Sequence, residues 1–356
     1  MVSERRVDLK VIPGGAAGPP RANRSGSEPG VPRRLFGKHA DPPAAVPGPF
    51  EAGLRPVDLL VLLYLGITTC LMIAFQGGVR AWGALALGHL VAAALILRMG
   101  GAEPPRAAAP RFLRDFYPLL LMVFFYWEYS WLTHLSGGVL HDVRVSGWDQ
   151  TVFGFQPSQE LHRMWPWKPL SEYLHAAYFS YYLVPASLTL SLYLRGKWAA
   201  FQESLTTILL AFFSCGFLFI AFPVAGPYHH FGAPNLGALA GPFARLTHGV
   251  VESASSVGTA FPSSHTAIAV AVWVASLRLS LRVFWCLCLV VPALALATVY
   301  GGFHYGVDSL AGLAVGVGCG LLGPRVNGFF AQRLPRTRHR PSVTWGAPLP
   351  KTGGRA

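Results

Sequence analysis

Charged residues are scarce in this chain. Asp, Glu, Lys and Arg make up only 13% of its 356 residues, about half the share of an average soluble domain. That shortage excludes an ordinary water-soluble globule. Acidic residues are the rarer sign, 16 against 29 Lys and Arg. The basic excess does not collect on one face of a domain, however; it falls between and beyond apolar blocks, which argues against a nucleic-acid partner. Cysteine is sparse as well. The five present, Cys70, Cys215, Cys286, Cys288 and Cys319, all sit in apolar blocks without metal-ligand spacing in a polar setting. They read as small packing residues and say little about redox compartment. No fixed-period repeat is evident, and residues 1–50 lack the apolar core of a cleavable secretory signal.

Apolar residues are abundant, at 52%, and they come in blocks of membrane-spanning length. A span needs about 20 apolar residues. Eight blocks qualify, at about 57–76, 81–99, 113–133, 172–194, 203–222, 265–281, 283–301 and 305–323. The expected fold is an all-α integral membrane protein of about eight transmembrane helices. A disordered basic tail is expected over 1–50 and another over 331–356, both rich in Pro, Gly and Arg and without apolar periodicity. The membrane domain is expected over 51–330. With both termini inside, 24 of the 29 Lys and Arg fall on the inner side, leaving Arg80, Arg144, Arg163, Lys168 and Arg245 outside. That asymmetry follows the positive-inside rule and predicts an inner (plasma) membrane protein with cytoplasmic termini.

The outer side is the elaborate one. The stretch Ser146 to Leu170 mixes Trp148, Phe153, Phe155, Trp165 and Trp167 with polar residues. It reads as a short amphipathic element at headgroup depth, with Asp149 as a cap or a ligand-binding group. Glu128 lies in the outer half of the third span, where a carboxylate is costly and marks a functional candidate. Holding a headgroup hydroxyl, orienting a His, and pairing with His175 or a Tyr are all open to it.

The stretch "AFPSSHTAIA" puts His265 at the outer mouth of the sixth span, and "YGGFHYGVD" puts His304 and Asp308 at the start of the eighth. One helix in and one helix out bring both imidazoles back to the same face. His304 and Asp308, four apart, share a helix side. This set suits phosphoryl transfer to a histidine. One imidazole attacks phosphorus, a carboxylate fixes its tautomer, and a second imidazole protonates the leaving oxygen. Ser263, Ser264 and the free N–H groups of a helix start offer an anion site. Two other readings stand beside it. Two His and an Asp, with "YHH" at Tyr228 to His230 nearby, have the donors of a zinc site, although no H-E-x-x-H pair is present. A transporter or flippase with a non-catalytic His cluster would need broken helices and mid-membrane charges.

"FPSSHT" followed by "TVYGGFHYGVD" resembles the second and third signature motifs of the type-2 phosphatidic acid phosphatase superfamily. The resemblance implies His265 as general acid, His304 as nucleophile, Asp308 as its orienting partner, and Ser263 and Ser264 on the phosphate. It implies a six-span helical core, here about 113–323, behind two extra spans, and a lipid phosphate substrate without metal or other cofactor. Most lipid phosphatases of that superfamily carry an Arg where this chain has Thr298, and their Lys-containing first motif is not recognisable here. Thr298, the turn "FPVAGPYHH" and "WDQTVFG" resemble instead the inositol phosphorylceramide synthase branch, which moves a phospho-headgroup between lipids. On that resemblance Tyr228 and His229 are candidate substrate-binding residues. Arg245, the one Lys or Arg between 223 and 264, is the candidate cation for the phosphate.

Overall fold

A backbone inside hydrocarbon has no water to bond, so apolar runs of this length satisfy their own N–H and C=O groups as helices. The computed structural model describes residues 53–334, apart from 76, 77, 80, 104 and 106. The basic tail expected over 1–50 and all but the first few residues of the one expected over 331–356 lie outside the described residues. In chain order the helices are α1 (Pro56–Ala74), α2 (Trp82–Gly101), α3 (Ala108–Leu132), α4 (Asp142–Phe153), α5 (Pro157–Met164), α6 (Lys168–Phe179), α7 (Val184–Leu194), α8 (Trp198–Ala221), α9 (Pro227–His230), α10 (Pro242–Ala254), α11 (Ser264–Leu279), α12 (Leu281–Tyr300) and α13 (Gly306–Ala331). Six of them, α1, α5, α6, α7, α9 and α10, carry Pro in the first turn, where its missing N–H costs nothing and its fixed φ favours the helix. Among the described residues there is no strand, only an isolated bridge between Val224 and Thr259.

This is an all-α membrane protein. Among the described residues five helices, α1, α2, α8, α12 and α13, are long and apolar enough to cross a bilayer. The other three expected spans differ from simple rods. The third, α3, runs 25 residues and carries Arg111, Arg114, Asp115 and Glu128, which dilute its hydropathy. The fourth is broken: α6 ends at Phe179, a 3-10 turn covers Ser180–Tyr182, and α7 restarts ahead of Pro185. A Pro ring clashes with the carbonyl one turn back, so a continuous helix is disfavoured there. The sixth, α11, has only 16 residues. The aromatic stretch after residue 140 forms two short helices, α4 and α5, not one; α4 packs on α13 and α5 on α12.

Helix α8 is the axis. Of its apolar window 72% is buried, against 22% for α2 at the periphery, and α1, α3, α7, α11 and α13 all pack on it. The tightest pair is α11 with α13. A Cβ placed on Gly312 would come within 2.5 Å of the Ser263 carbonyl oxygen, one on Gly316 within 2.5 Å of the Ala267 oxygen, and one on Gly320 within 2.7 Å of Val274 Cβ. This four-residue stripe of glycines lets two backbones approach closely in a medium where packing, not the hydrophobic effect, drives association. The approach fixes the starts of α11 and α13 beside each other, since the Ser263 N–H donates to the Asp308 carbonyl at 3.0 Å.

Helices α1 to α3 are tied by buried polar pairs. His89 Nε2 lies 2.7 Å from Glu128 Oε1, and the Tyr64 hydroxyl donates to Glu128 Oε2 at 3.3 Å. Glu128 therefore bridges α1, α2 and α3, and its partners are His89 and Tyr64, not His175. At the other end of α1, Arg55 pairs with Asp58 and Asp115.

Candidate active site

Helix α11 begins at a Ser cap: Ser263 Oγ accepts the Thr266 N–H at 3.3 Å, and its carbonyl accepts the Ala267 N–H. The N–H groups of Ser264 and His265 remain as first-turn donors without an intrahelical acceptor. Helix α13 begins two residues after His304, and its first N–H groups are capped from elsewhere. Asp149 of α4 accepts from Gly306 and Val307 at 2.9 and 2.8 Å. Asp149 thus caps α13 and not its own short element. Burial raises its carboxyl above the ordinary carboxylate range, and the two N–H donors pull it back down. Asp142, at the start of α4, accepts from the N–H groups of Ala225 and Gly226 and from the Tyr305 hydroxyl. These two carboxylates hold the turn before α9 and the loop carrying His304 in place.

The His265 and His304 rings stand 5.8 Å apart, edge to face, close enough to contact one small group between them. His304 is nearly buried, and its Nδ1 lies 2.9 Å from the Ala260 carbonyl oxygen and 3.5 Å from Asp308 Oδ2. A carbonyl oxygen only accepts, so Nδ1 carries a proton, and in the neutral ring Nε2 is the nitrogen with the free lone pair. The expected partner Asp308 is thus the second and longer contact; the Ala260 carbonyl is the shorter one. Asp308 Oδ2 also accepts the Tyr305 N–H at 2.8 Å, which makes the aspartate part of the cap of α13. The His304 N–H donates to the Thr298 carbonyl at 2.9 Å. The Thr298 hydroxyl, Thr266 and Ser309 form a buried hydroxyl cluster joining α11, α12 and α13. The Thr298 side chain is spent on this cluster and on the Ala295 carbonyl.

His265 is held between aromatic rings. Tyr178 stacks on it at 4.9 Å and puts its hydroxyl 3.3 Å from Nε2, and Tyr181 lies 4.3 Å away on the tilt. Tyr178 comes from the last turn of α6 and Tyr181 from the 3-10 turn that follows it, so the interrupted span builds the wall of the site. Sequence reasoning singled out neither. The signal was the run "YFSYYLVP", aromatic residues just ahead of a Pro that ends helical continuity.

A cavity of about 780 Å³ opens on these groups, within the range of small-molecule sites. Ser264, His265, His304, Tyr228 and His229 line it. Ser263 does not, because its hydroxyl is spent on the helix cap. Arg245 does not either: it is exposed on α10, with its Nε against the Gly241 carbonyl. No Lys, Arg, Asp or Glu lines the cavity among the described residues. His229 Nε2 meets Ser255 Oγ at 3.1 Å, and His230 is exposed beside Phe231. Among the described residues no group of three His, Cys, Asp or Glu is placed to hold a metal ion.

Behind the cavity wall is a second pair of imidazoles. His175 Nδ1 donates to the Ser171 carbonyl at 2.7 Å, and its Nε2 lies 3.3 Å from His248 Nε2. Burial, then the neighbouring His175 and His162, push the His248 imidazole down to about 4, so it is neutral at pH 7. Phe303 separates this pair from His304, its ring 4.8 Å from His248 and 6.3 Å from His175.

Fold and site together define an all-α membrane bundle whose apolar cavity ends on two facing imidazoles. Residues 146–322 match the family model of the PAP2 superfamily. The match contains His265, His304 and Asp308 and supports placing the chain in the type-2 phosphatidic acid phosphatase superfamily, whose members are in general phosphatases and phosphotransferases. No curated protein and no solved structure matches the chain.

Proposed function

We propose that this protein transfers the phosphoryl group of a membrane lipid through a phospho-His304 intermediate, at the extracytoplasmic face of the plasma (inner) membrane. The 5.8 Å His265–His304 pair at the end of an apolar cavity is the observation that carries this reading. His304 Nε2 attacks phosphorus while the bond to the leaving oxygen breaks, and that oxygen takes a proton from His265. An acceptor hydroxyl then gives its proton to His265 and attacks phosphorus, and the P–N bond breaks. The Ser264 hydroxyl with the first-turn N–H groups of α11 supplies hydrogen bonds to the phosphoryl oxygens. No step calls for a metal or other cofactor.

Charge bears on the acceptor. A phosphomonoester carries up to two negative charges, and with no Lys or Arg among the described lining residues a dianion would be poorly balanced in a low dielectric. A phosphodiester carries one. That favours a phospho-headgroup donor and a lipid hydroxyl acceptor, in line with the resemblance to the inositol phosphorylceramide synthase branch. The test is incubation of the purified protein with phosphomonoester and inositol phospholipids, with and without ceramide or diacylglycerol, and identification of products by mass spectrometry. Headgroup transfer abolished by His304→Ala is the expected result. Undiminished turnover in His304→Ala, in a folded protein, would remove the nucleophile.

A further inference from the structure

The cavity does not stop at the histidines. It continues along α3, past Tyr126, Val123, Leu120 and Phe116 to Phe112, with Leu190 of α7 opposite and Phe212 of α8 as its floor. Both α3 and α7 pack on α8, which leaves the trough between them. From Tyr126 to Phe112 the helix rises roughly 20 Å at about 1.5 Å per residue. One leaflet of hydrocarbon is about 15 Å deep, so the trough reaches beyond the thickness of a single leaflet. Its side is open: Val123 is 75% exposed and Leu120 57%. Its far end is closed. Phe112 stacks on Phe116 at 4.3 Å, and Phe116 packs against Tyr193 at 5.1 Å and Phe201 at 5.2 Å.

We propose that this trough holds one hydrocarbon chain of the lipid whose phosphate sits on His265 and His304, and that Phe116, backed by Phe112 and Tyr193, sets the longest chain accepted. The occupant follows from continuity: one uninterrupted cavity joins the imidazoles to an apolar trough open to the bilayer, so a lipid enters sideways with its phosphate at one end and a tail along α3. Helix α3 lies ahead of the family-matched residues 146–322, while Leu190 and Phe212 lie within them. The proposal rests on the phosphoryl-transfer reading for the identity of the head, and it is tested without turnover.

The experiment is binding of alkyl methyl phosphates, phosphodiesters of one negative charge, of stepwise longer alkyl chain to purified full-length His304→Ala protein, read by native mass spectrometry, with the matching alcohols as controls. Affinity should rise about fourfold for each added methylene and then level off near a chain that spans the trough. In a Phe116→Ala background the plateau should move to chains several carbons longer. Leu120→Trp, a mid-trough block at an exposed position, should move it to shorter ones. Chain-length profiles that are the same in all three proteins would overturn the proposal, and so would alcohols binding as tightly as the phosphates, since the occupant would then not be the phosphorylated lipid. Turnover by the wild-type protein is measured separately. Shifting plateaus without phosphoryl transfer would leave the trough and remove the chemistry; transfer with no shift would do the reverse.

Discussion

Adding one methyl group at Gly316 tests whether helix approach sets the catalytic geometry. The Cβ introduced by Gly316→Ala would sit 2.5 Å from the Ala267 carbonyl oxygen and 2.7 Å from Val270 Cβ, where ordinary contact begins at 3.4 Å. Both neighbours belong to α11, and the nearer is backbone, which cannot rotate away. The helices must part by about 0.9 Å at this level, two residues along α11 from His265. Overpacking of this kind costs about 1–3 kcal/mol, partly offset by the better helix propensity of Ala, up to about 1 kcal/mol. The larger effect falls on rate, because a shift of about 1 Å in a reacting group costs on the order of a hundredfold. Gly318→Ala is the matched control: it makes the same change on the same helix, with nothing within 4 Å of the new Cβ. Phosphoryl transfer measured in detergent, beside a thermal unfolding curve, should show Gly316→Ala folded and roughly a hundredfold slower, and Gly318→Ala at the wild-type rate. A folded Gly316→Ala protein within twofold of wild type would refute the idea that this contact positions His265 against His304.

Asp149→Ala removes the acceptor of two N–H groups at the start of α13; turnover should fall at least tenfold, with part of it restored in Asp149→Asn, and equal loss in both would mean that charge and not capping matters. Burial holds the His248 imidazole at about 4, below its ordinary value near 6.5, so the unfolded chain binds the extra proton first as pH falls. The stabilisation is therefore complete above about pH 6.5 and lost as pH drops toward 4. Unfolding temperature should fall over that window and fall less in His248→Phe; parallel pH profiles would refute the assignment. Saturating EDTA should leave turnover unchanged, and loss of activity restored by zinc would favour a metal-dependent reaction.

The imidazole pair was legible in the sequence because each His sits beside a helix start that local signals mark: "PSSH" as a cap before an apolar run, and His304 with Asp308 one turn apart. The spans were legible because bilayer thickness fixes their length. The glycine stripe Gly312, Gly316, Gly320 was not singled out in the sequence, because which helix it receives depends on packing. Other features are long-range. Asp149 reaches Gly306 and Val307 over more than 150 residues of chain, and the Ala260 carbonyl displaces Asp308 as the nearest partner of His304 Nδ1. Neither contact leaves a local pattern. Glu128 looked functional because a carboxylate among apolar residues is costly; the cost is offset by His89 and Tyr64 from two other helices. The same logic explains Arg245. It was the sole cation in its loop, yet chain position says nothing about which way a helix face points, and α10 turns it away from the cavity.

The most direct test of the account is stereochemical. A lipid substrate made chiral at phosphorus with a sulfur and an oxygen isotope is turned over, and the configuration of the product is read by phosphorus NMR. Transfer to His304 and then to the acceptor is two in-line displacements, so the account predicts net retention. Net inversion would mean that the acceptor attacks the lipid directly, with no covalent enzyme intermediate.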